Sequence, residues 1–569
     1  MIRLYILCYM AMSMLFAGPK YYDDRLMVYI DDSVNDFTVL DDKEFTSTSE
    51  VNDLMRDVDA IAIEQWLPNA RPTDKNQHVS LNRFYVVRFG SPKSNMDLLV
   101  DRFVSLEAIS ISEKVPTVEP AFVPNDSLWD QLYGLSQIKA HLAFDLWDID
   151  GGEIPGQMEN GEIVVAIPDV GLKWSHPDLI GNIWQNLGED LDGDGVVIEL
   201  VDGVWVFDPD DENGIDDDGD GYVDNFVGYD VAMEDNDPWP LQLNHVHGTK
   251  VSGVVSAMTN NEIGLASVGY SIKLMGVNAN GNINGPSSIT HTNEAVLAAA
   301  QMGADIITTS WVSSVYSGFD SSFYQTIYDE YDCIVVAAAG NGVNNGGLDD
   351  STDFNPRYPA AYDNVVSVTA MGENDSFNCW ANVHETVDIS APGENIICTY
   401  TYRDTLYALG TGTSYAAPLT AGAIALVKSV IPEADNETIL SKVFDTAEFY
   451  PDMLKSCNGQ SIEGLVGAGQ LNIHRAILAC IYPELLLSEI NYQTDDGFIN
   501  PGDTIAIDVT IQNSIGFEPA NDVVVTLSTN DSNFIIISDQ INGDGNSLNA
   551  GEEITGQFLF TSNHDASLG

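Results

Sequence analysis

Basic residues are scarce in this chain. Lys and Arg number 22 against 86 Asp and Glu in 569 residues, a formal charge of −64. A surface so acidic repels phosphates, so neither nucleic acid nor an anionic membrane is expected as a partner. It suits a soluble secreted protein, or one that works in salt or with divalent cations. Cysteines number six, and no CxxC spacing occurs, which excludes thiolate metal sites of that pattern. The apolar run from Leu4 to Phe16 is short for a membrane span. What is present is a 44% hydrophobic content, enough for globular cores, over a length that holds three or four domains.

The N-terminus reads Met1-Ile2-Arg3, then the apolar stretch, then Ala17-Gly18. One positive charge, a short apolar core and small residues predict a signal peptide over 1–17 and an extracellular protein. Of the other five cysteines, Cys379 with Cys398 and Cys457 with Cys480 are open pairings. Cys333 opens a buried strand and reads as a free core thiol.

Four positions carry candidate chemistry. Ser414 lies in Gly412-Thr413-Ser414-Tyr415-Ala416-Ala417-Pro418, before an alanine-rich helical run that reaches Ile431 and stops at Pro432. Free backbone N–H groups and the positive end of the helix dipole collect there. A serine hydroxyl needs a base, and His247 heads a second helical pattern with Val251, Val254, Val255 and Met258. Asp169 closes the buried strand Ile163 to Ile167, at the strand end where open α/β sheets build sites. Asn341 follows the strand Cys333 to Ala339. Taken singly, each has a bland role: N-cap, surface histidine, turn residue.

Together they resemble the subtilisin-like serine endopeptidases. The resembling pieces are Asp169-Val170-Gly171 with His176-Pro177-Asp178-Leu179, then His247-Gly248-Thr249, then Ala339-Gly340-Asn341, then Gly412 to Pro418. Asp, then His, then Ser is also the chain order of subtilisin. The likeness covers about residues 125–480. It implies that Ser414 attacks the scissile carbonyl, His247 takes and returns the proton, Asp169 orients the ring, and Asn341 donates to the oxyanion. Protein or peptide substrates are implied.

The resemblance also sets an expected layout. An α/β domain over 123–482 carries a parallel sheet covered by helices, as the alternation of strands and helices from Ile163 onward requires. A small α+β unit over 20–122 stands as a prodomain, an intramolecular inhibitor removed near residues 119–127. Residues 484–569 alternate as an all-β, immunoglobulin-type sandwich. It shows about five strands where such a sandwich wants about seven, as in a fragment of a longer chain. No basic patch or aromatic platform marks the sandwich as a binder.

Several residues depart from the family pattern. Val170 stands for a small hydroxyl residue, Pro168 precedes Asp169, Lys250 replaces a second histidine, and Leu419 follows Pro418. Val312 replaces a glycine of the substrate-binding strand. These departures carry the alternative expectation, a catalytically impaired subtilisin fold kept for binding or surface attachment. Lys250 is expected near the imidazole, lowering its pKa.

Between Asp169 and His247 lies an acidic insert. It contains Asp190, Asp192 and Asp194, then Asp216, Asp218, Asp220 and Asp224, with glycines closing each run. Alternate aspartates in a tight loop aim several oxygens at one hard cation, and calcium suits such a flexible loop better than magnesium. Val201 and Val227 stand at the twelfth places where a calcium loop needs a glutamate, so other ligands must complete each set.

Overall fold

The computed structural model describes residues 2–7 and 21–562, apart from 32, 35–36, 41–45, 72, 76–78, 92, 94, 117–121, 283–287, 344–350, 404–405, 494–502, 522, 530–533, 539 and 543–546. Part of the expected processing segment, most of the expected signal peptide, and the turns around Pro501 and Gly543 lie outside the described residues. The chain divides into two compact units, residues 14–121 and the remainder.

The smaller unit is a four-stranded antiparallel sheet in the order Ala60–Gln65, Phe84–Phe89, Tyr21–Ile30, Ile109–Pro116. Helices Ser49–Asp57 and Met96–Val104 supply Val51, Met55 and Phe103 to a core with Leu26, Val28, Ile63 and Val87. Strands Tyr21–Ile30 and Phe84–Phe89 and the second helix show in the sequence as apolar periodicity, while Ala60–Gln65 and Ile109–Pro116 do not.

The larger unit is built on a seven-stranded parallel sheet. Its strands are β1 (Val164–Asp169), β2 (Gly228–Asp230), β3 (Lys273–Asn278), β4 (Ile306–Thr309), β5 (Ile334–Ala338), β6 (Val365–Met371) and β7 (Ile389–Pro392). Their spatial order is β7-β6-β5-β4-β1-β3-β2, and every pair is parallel. Continuous apolar runs fit this arrangement, since both faces are covered. One face packs helices α1 (His247–Ser256) and α4 (Thr413–Val430); the other packs α2 (Thr292–Gln301) and α3 (Gly318–Tyr331). Nearly every residue of α4 is buried, which explains its alanine-rich, all-round apolar sequence. Gly422 lets α4 approach α1: a Cβ there would lie 2.6 Å from the Val255 carbonyl oxygen. That close approach sets the N-termini of the two helices side by side.

The C-terminal residues form two antiparallel sheets. One has the order Leu485–Gln493, Thr504–Asn513, Glu553–Ser562, Phe534–Ser538; in the other, Val524–Thr529 pairs with Ile2–Leu7 and Gln540–Asn542. Ile505, Ile507, Val509, Val525, Phe558 and Phe560 make the core between them. The strand Ile2–Leu7 falls inside the stretch expected to be a signal peptide.

The cysteine pairing corrects the sequence expectation. Cys379 is bonded to Cys457, while Cys398 and Cys480 are free. Cys398 is buried in a hairpin, and its thiol donates to the Ile396 carbonyl. Cys333 is a free buried thiol, as expected.

Candidate active site

Asp169 is the last residue of β1 and is 1% exposed. Its Oδ2 stands 2.8 Å from Nδ1 of His247, the first residue of α1. The Val170 N–H donates to Oδ1 at 2.7 Å. The carboxylate is thereby fixed in rotation, one oxygen for the backbone and one for the ring. About a third (32%) of the His247 side chain reaches solvent, leaving its other nitrogen for a reacting group. Burial opposes the charged ring. The Asp169 charge and hydrogen bond outweigh it, and the net effect raises the His247 pKa above the ordinary value. Lys250 pulls the pKa down, as expected, but its effect is the smallest of these.

Ser414 is the second residue of α4 and is half-buried. Pro418 sits four residues on and has no N–H to offer the Ser414 carbonyl. That carbonyl instead accepts from Ser310 Oγ at 3.1 Å, and Ser414 Oγ lies 3.4 Å from the Ser310 carbonyl oxygen. The proline thus leaves the Ser414 backbone tied to the segment after β4. The Tyr415 ring lies 6.1 Å from the His247 ring, so the start of α4 faces the start of α1.

Asn341 lies three residues beyond β5. Its Oδ1 accepts from the Thr413 N–H at 2.8 Å and from Thr413 Oγ1 at 3.1 Å. The oxygen is thereby committed to the residue before Ser414. Gly412 makes the approach feasible. Its φ of 150° belongs to glycine, and a Cβ there would stand 3.3 Å from Asn341 Nδ2. The structure therefore brings Asp169 and His247 into contact and sets Asn341 against the residue preceding Ser414.

The departures from the family pattern find places in this geometry. Val170 serves Asp169 through its backbone, which any residue supplies. Pro168 lies past the stretch where β1 pairs with β4, which ends at Ala166, so its missing N–H costs no ladder bond on that side. Lys250 Nζ donates to the Leu409 carbonyl at 3.1 Å. Val312 is half-buried and lines a cavity of about 210 Å³ with Trp311, Tyr324, Tyr358 and Tyr362. Leu419 is buried in the core.

The acidic insert brings together two groups of carboxylates. Asp190, Asp192 and Asp194 form one; Asp216 and Asp218 form the other with Glu189, and in each group the oxygens lie within 4.8 Å of one another. Glu189 escaped the sequence reading because it lies outside the alternating aspartates. Asp220 and Asp224 fall outside that group. Asp220 accepts from Asn225 and the Tyr222 N–H, and Asp224 from the N–H groups of Asn213 and Gly214. Three carboxylates this close repel one another unless a cation lies between them, so the donor set fits a hard divalent ion.

Comparison with known proteins agrees with this arrangement. The profile described as "Subtilase family" matches residues 160–469, which hold all four positions. The halolysin-like extracellular serine protease Nep of Natrialba magadii is 29% identical over 60% of this chain and 51% of its own length. The thermophilic serine proteinase of Bacillus sp. strain AK1 is 29% identical over 61% of this chain and 69% of its own. Thermitase of Thermoactinomyces vulgaris is 28% identical over 58% of this chain and 92% of its own. The chain thus spans about half the length of Nep. With the profile covering more than half of the residues, and with the strand-end aspartate bonded to a helix-leading histidine, this chain belongs to the subtilase family.

Proposed function

We propose that the protein is a secreted serine endopeptidase that cleaves peptide bonds of proteins through an acyl-enzyme. Ser414 is the nucleophile, His247 the general base and then acid, Asp169 the orienting carboxylate, and Asn341 an oxyanion donor. The observation that carries this reading is the 2.8 Å bond between buried Asp169 and His247, at the end of the sheet where α4 presents Ser414. With Nδ1 committed to the carboxylate, Nε2 is the nitrogen left to accept the hydroxyl proton. As the Ser414 oxygen attacks, the carbonyl oxygen gains charge. The Asn341 amide and the Ser414 N–H, at the positive end of α4, supply fixed dipoles for it. His247 then returns the proton to the leaving amine.

Export is supported by the hydrophobic N-terminus, by the Cys379–Cys457 disulfide, and by the word "extracellular" in the name of the Natrialba relative. On this reading residues 1–17 are a signal peptide, 20–122 a prodomain that blocks the cleft until removed, 123–482 the catalytic domain, and 484–569 an appended β-sandwich. Calcium is the proposed structural ion of the acidic insert, held by Asp190, Asp192 and Asp194 and by Asp216 and Asp218.

Purified protein incubated with a denatured protein substrate tests this directly. Wild type should release peptides and show a new N-terminus near residues 119–127, while Ser414→Ala should do neither. Equal peptide release by both would remove Ser414 from the reaction.

A further inference from the structure

The insert between β1 and α1 contains the same loop twice. Asp190 accepts from the N–H groups of Gly193 and Gly195 at 2.8 and 2.9 Å; Asp216 accepts from those of Gly219 and Gly221 at 2.7 and 3.0 Å. Neither loop carries an acid at its own twelfth place. Each is instead met by an acid from the flank of the other. Glu189, the residue before the first loop, is fully buried, and its Oε1 accepts from Asp217 and Asp218 N–H at 3.0 and 3.4 Å. Asp211, shortly before the second loop, is also fully buried, and its Oδ1 accepts from Leu191 and Asp192 N–H at 2.9 and 3.3 Å. The two acids meet the same positions of the two loops, the second and third residues.

The other oxygen of Asp211 points to a ligand. Oδ2 is buried and has no hydrogen-bond donor. The carboxylate stands against the first turn of the Asp190 loop, within the electrostatic reach of Asp190 and Asp208, and makes no ion pair with Lys, Arg or His among the described residues. A buried carboxylate oxygen with only like charges around it is held stably when a cation takes the missing place. Glu189 lies in one group with Asp216 and Asp218, whereas Asp211 is tied to the Asp190 loop through the Leu191 and Asp192 N–H groups.

We propose that the insert takes up two calcium ions as a coupled pair, with Asp211 completing the loop led by Asp190 and Glu189 completing the loop led by Asp216. This rests on the reading of the insert as a calcium site and goes beyond it in the ligands named and in the coupling. The coupling follows from the chain. Glu189 is bonded directly to Asp190, so an ion that seats Glu189 in the second loop also fixes the start of the first. The turn in which Asp211 and Glu212 donate to the Asp208 carbonyl leads straight into Asn213 and Gly214, which brace Asp224. Filling one loop therefore preorganises the other, which is positive cooperativity.

The test uses the full chain carrying Ser414→Ala, to prevent self-digestion, with calcium chloride as the probe. Melting in EDTA and in excess calcium is compared with calorimetric titration for that protein and for added Asp211→Asn, Glu189→Gln and Asp192→Asn. Asp192 is exposed, so its substitution leaves the core untouched. Asp211→Asn should melt at or above the parent in EDTA, because an uncompensated charge is gone, and should lose most of the parent's calcium-induced rise. Glu189→Gln should lose that rise as well. Asp192→Asn should weaken the ion in the other loop about tenfold or more. If Asp211→Asn gains as much from calcium as the parent, or if Asp192→Asn leaves the other ion's affinity unchanged, the coupled pair is overturned while single-loop calcium binding stands. If the parent itself gains nothing from calcium, the calcium reading fails first and takes this one with it.

Discussion

Replacing Asp169 by Asn keeps the shape of the side chain and changes only what it can accept. In the native site the Val170 N–H donates to Oδ1 and His247 Nδ1 faces Oδ2. An asparagine must turn its one oxygen toward the Val170 N–H, because the alternative sets two donors against each other. Its NH2 then faces Nδ1 and donates to it. The ring proton moves to Nε2, the nitrogen that should accept from Ser414, so the base is blocked. Loss of the corresponding tautomer control in a serine protease lowers kcat about 10⁴-fold, or about 5.4 kcal/mol at about 1.36 kcal/mol per decade. A second effect follows from charge. The Asp169 charge works against burial and raises the His247 pKa, so removing it lowers that pKa and moves the acid limb of kcat/KM to lower pH. The assay is hydrolysis of a fluorogenic peptide by the processed enzyme from about pH 5 to about 10. Activity within tenfold of wild type, or an acid limb that moves upward, would refute the reasoning.

Further predictions concern the oxyanion site, the disulfide and pH. Asn341→Ala should lower kcat about 10²- to 10³-fold with little change in KM, since its amide acts on charge that exists only in the transition state; a KM effect alone would contradict this. The Cys379–Cys457 bridge closes a loop with a sequence separation of 78, for which chain entropy gives about 4.5 kcal/mol, so Cys379→Ala with Cys457→Ala should lose up to that amount in reversible denaturant unfolding. Burial pushes the carboxyls of Asp126, Asp178 and Asp230 up to about 6, chiefly by desolvation. A folded pKa above the unfolded value gives stability that is complete below about 3.9 and is lost as pH rises through 6; the raised His247 acts in the same sense at higher pH. The protein in EDTA should therefore melt higher at about pH 5 than at about pH 7, and the opposite order in a thermal scan would contradict the assignment.

The sequence disclosed most where local chemistry repeats or alternates. The strand ending at Asp169 and the helix carrying Ser414 were legible because long apolar runs with a polar residue at the end have few other homes. The structure extends that helix back to Thr413 and stops it at Val430, one residue short of the expected Ile431. The edge strands β2 and β7 escaped, since three or four residues carry too little periodicity. Glu189 and Asp211 escaped for a different reason. Each completes a loop other than the one it adjoins, and only tertiary contact makes that pairing. The same holds for Cys379, whose partner is the distant Cys457 rather than the nearer Cys398. Pro418, a residue that disfavours helix interiors, sits inside α4, where it leaves the Ser414 carbonyl to Ser310 Oγ.

The account depends on Ser414 being made reactive by His247. Treatment of the processed protein with a fluorophosphonate, followed by peptide mapping, reads that reactivity at one atom. The prediction is a single adduct on Ser414, absent after His247→Ala and after unfolding. A folded, processed protein that takes no label at Ser414, or takes it equally without His247, would contradict the account.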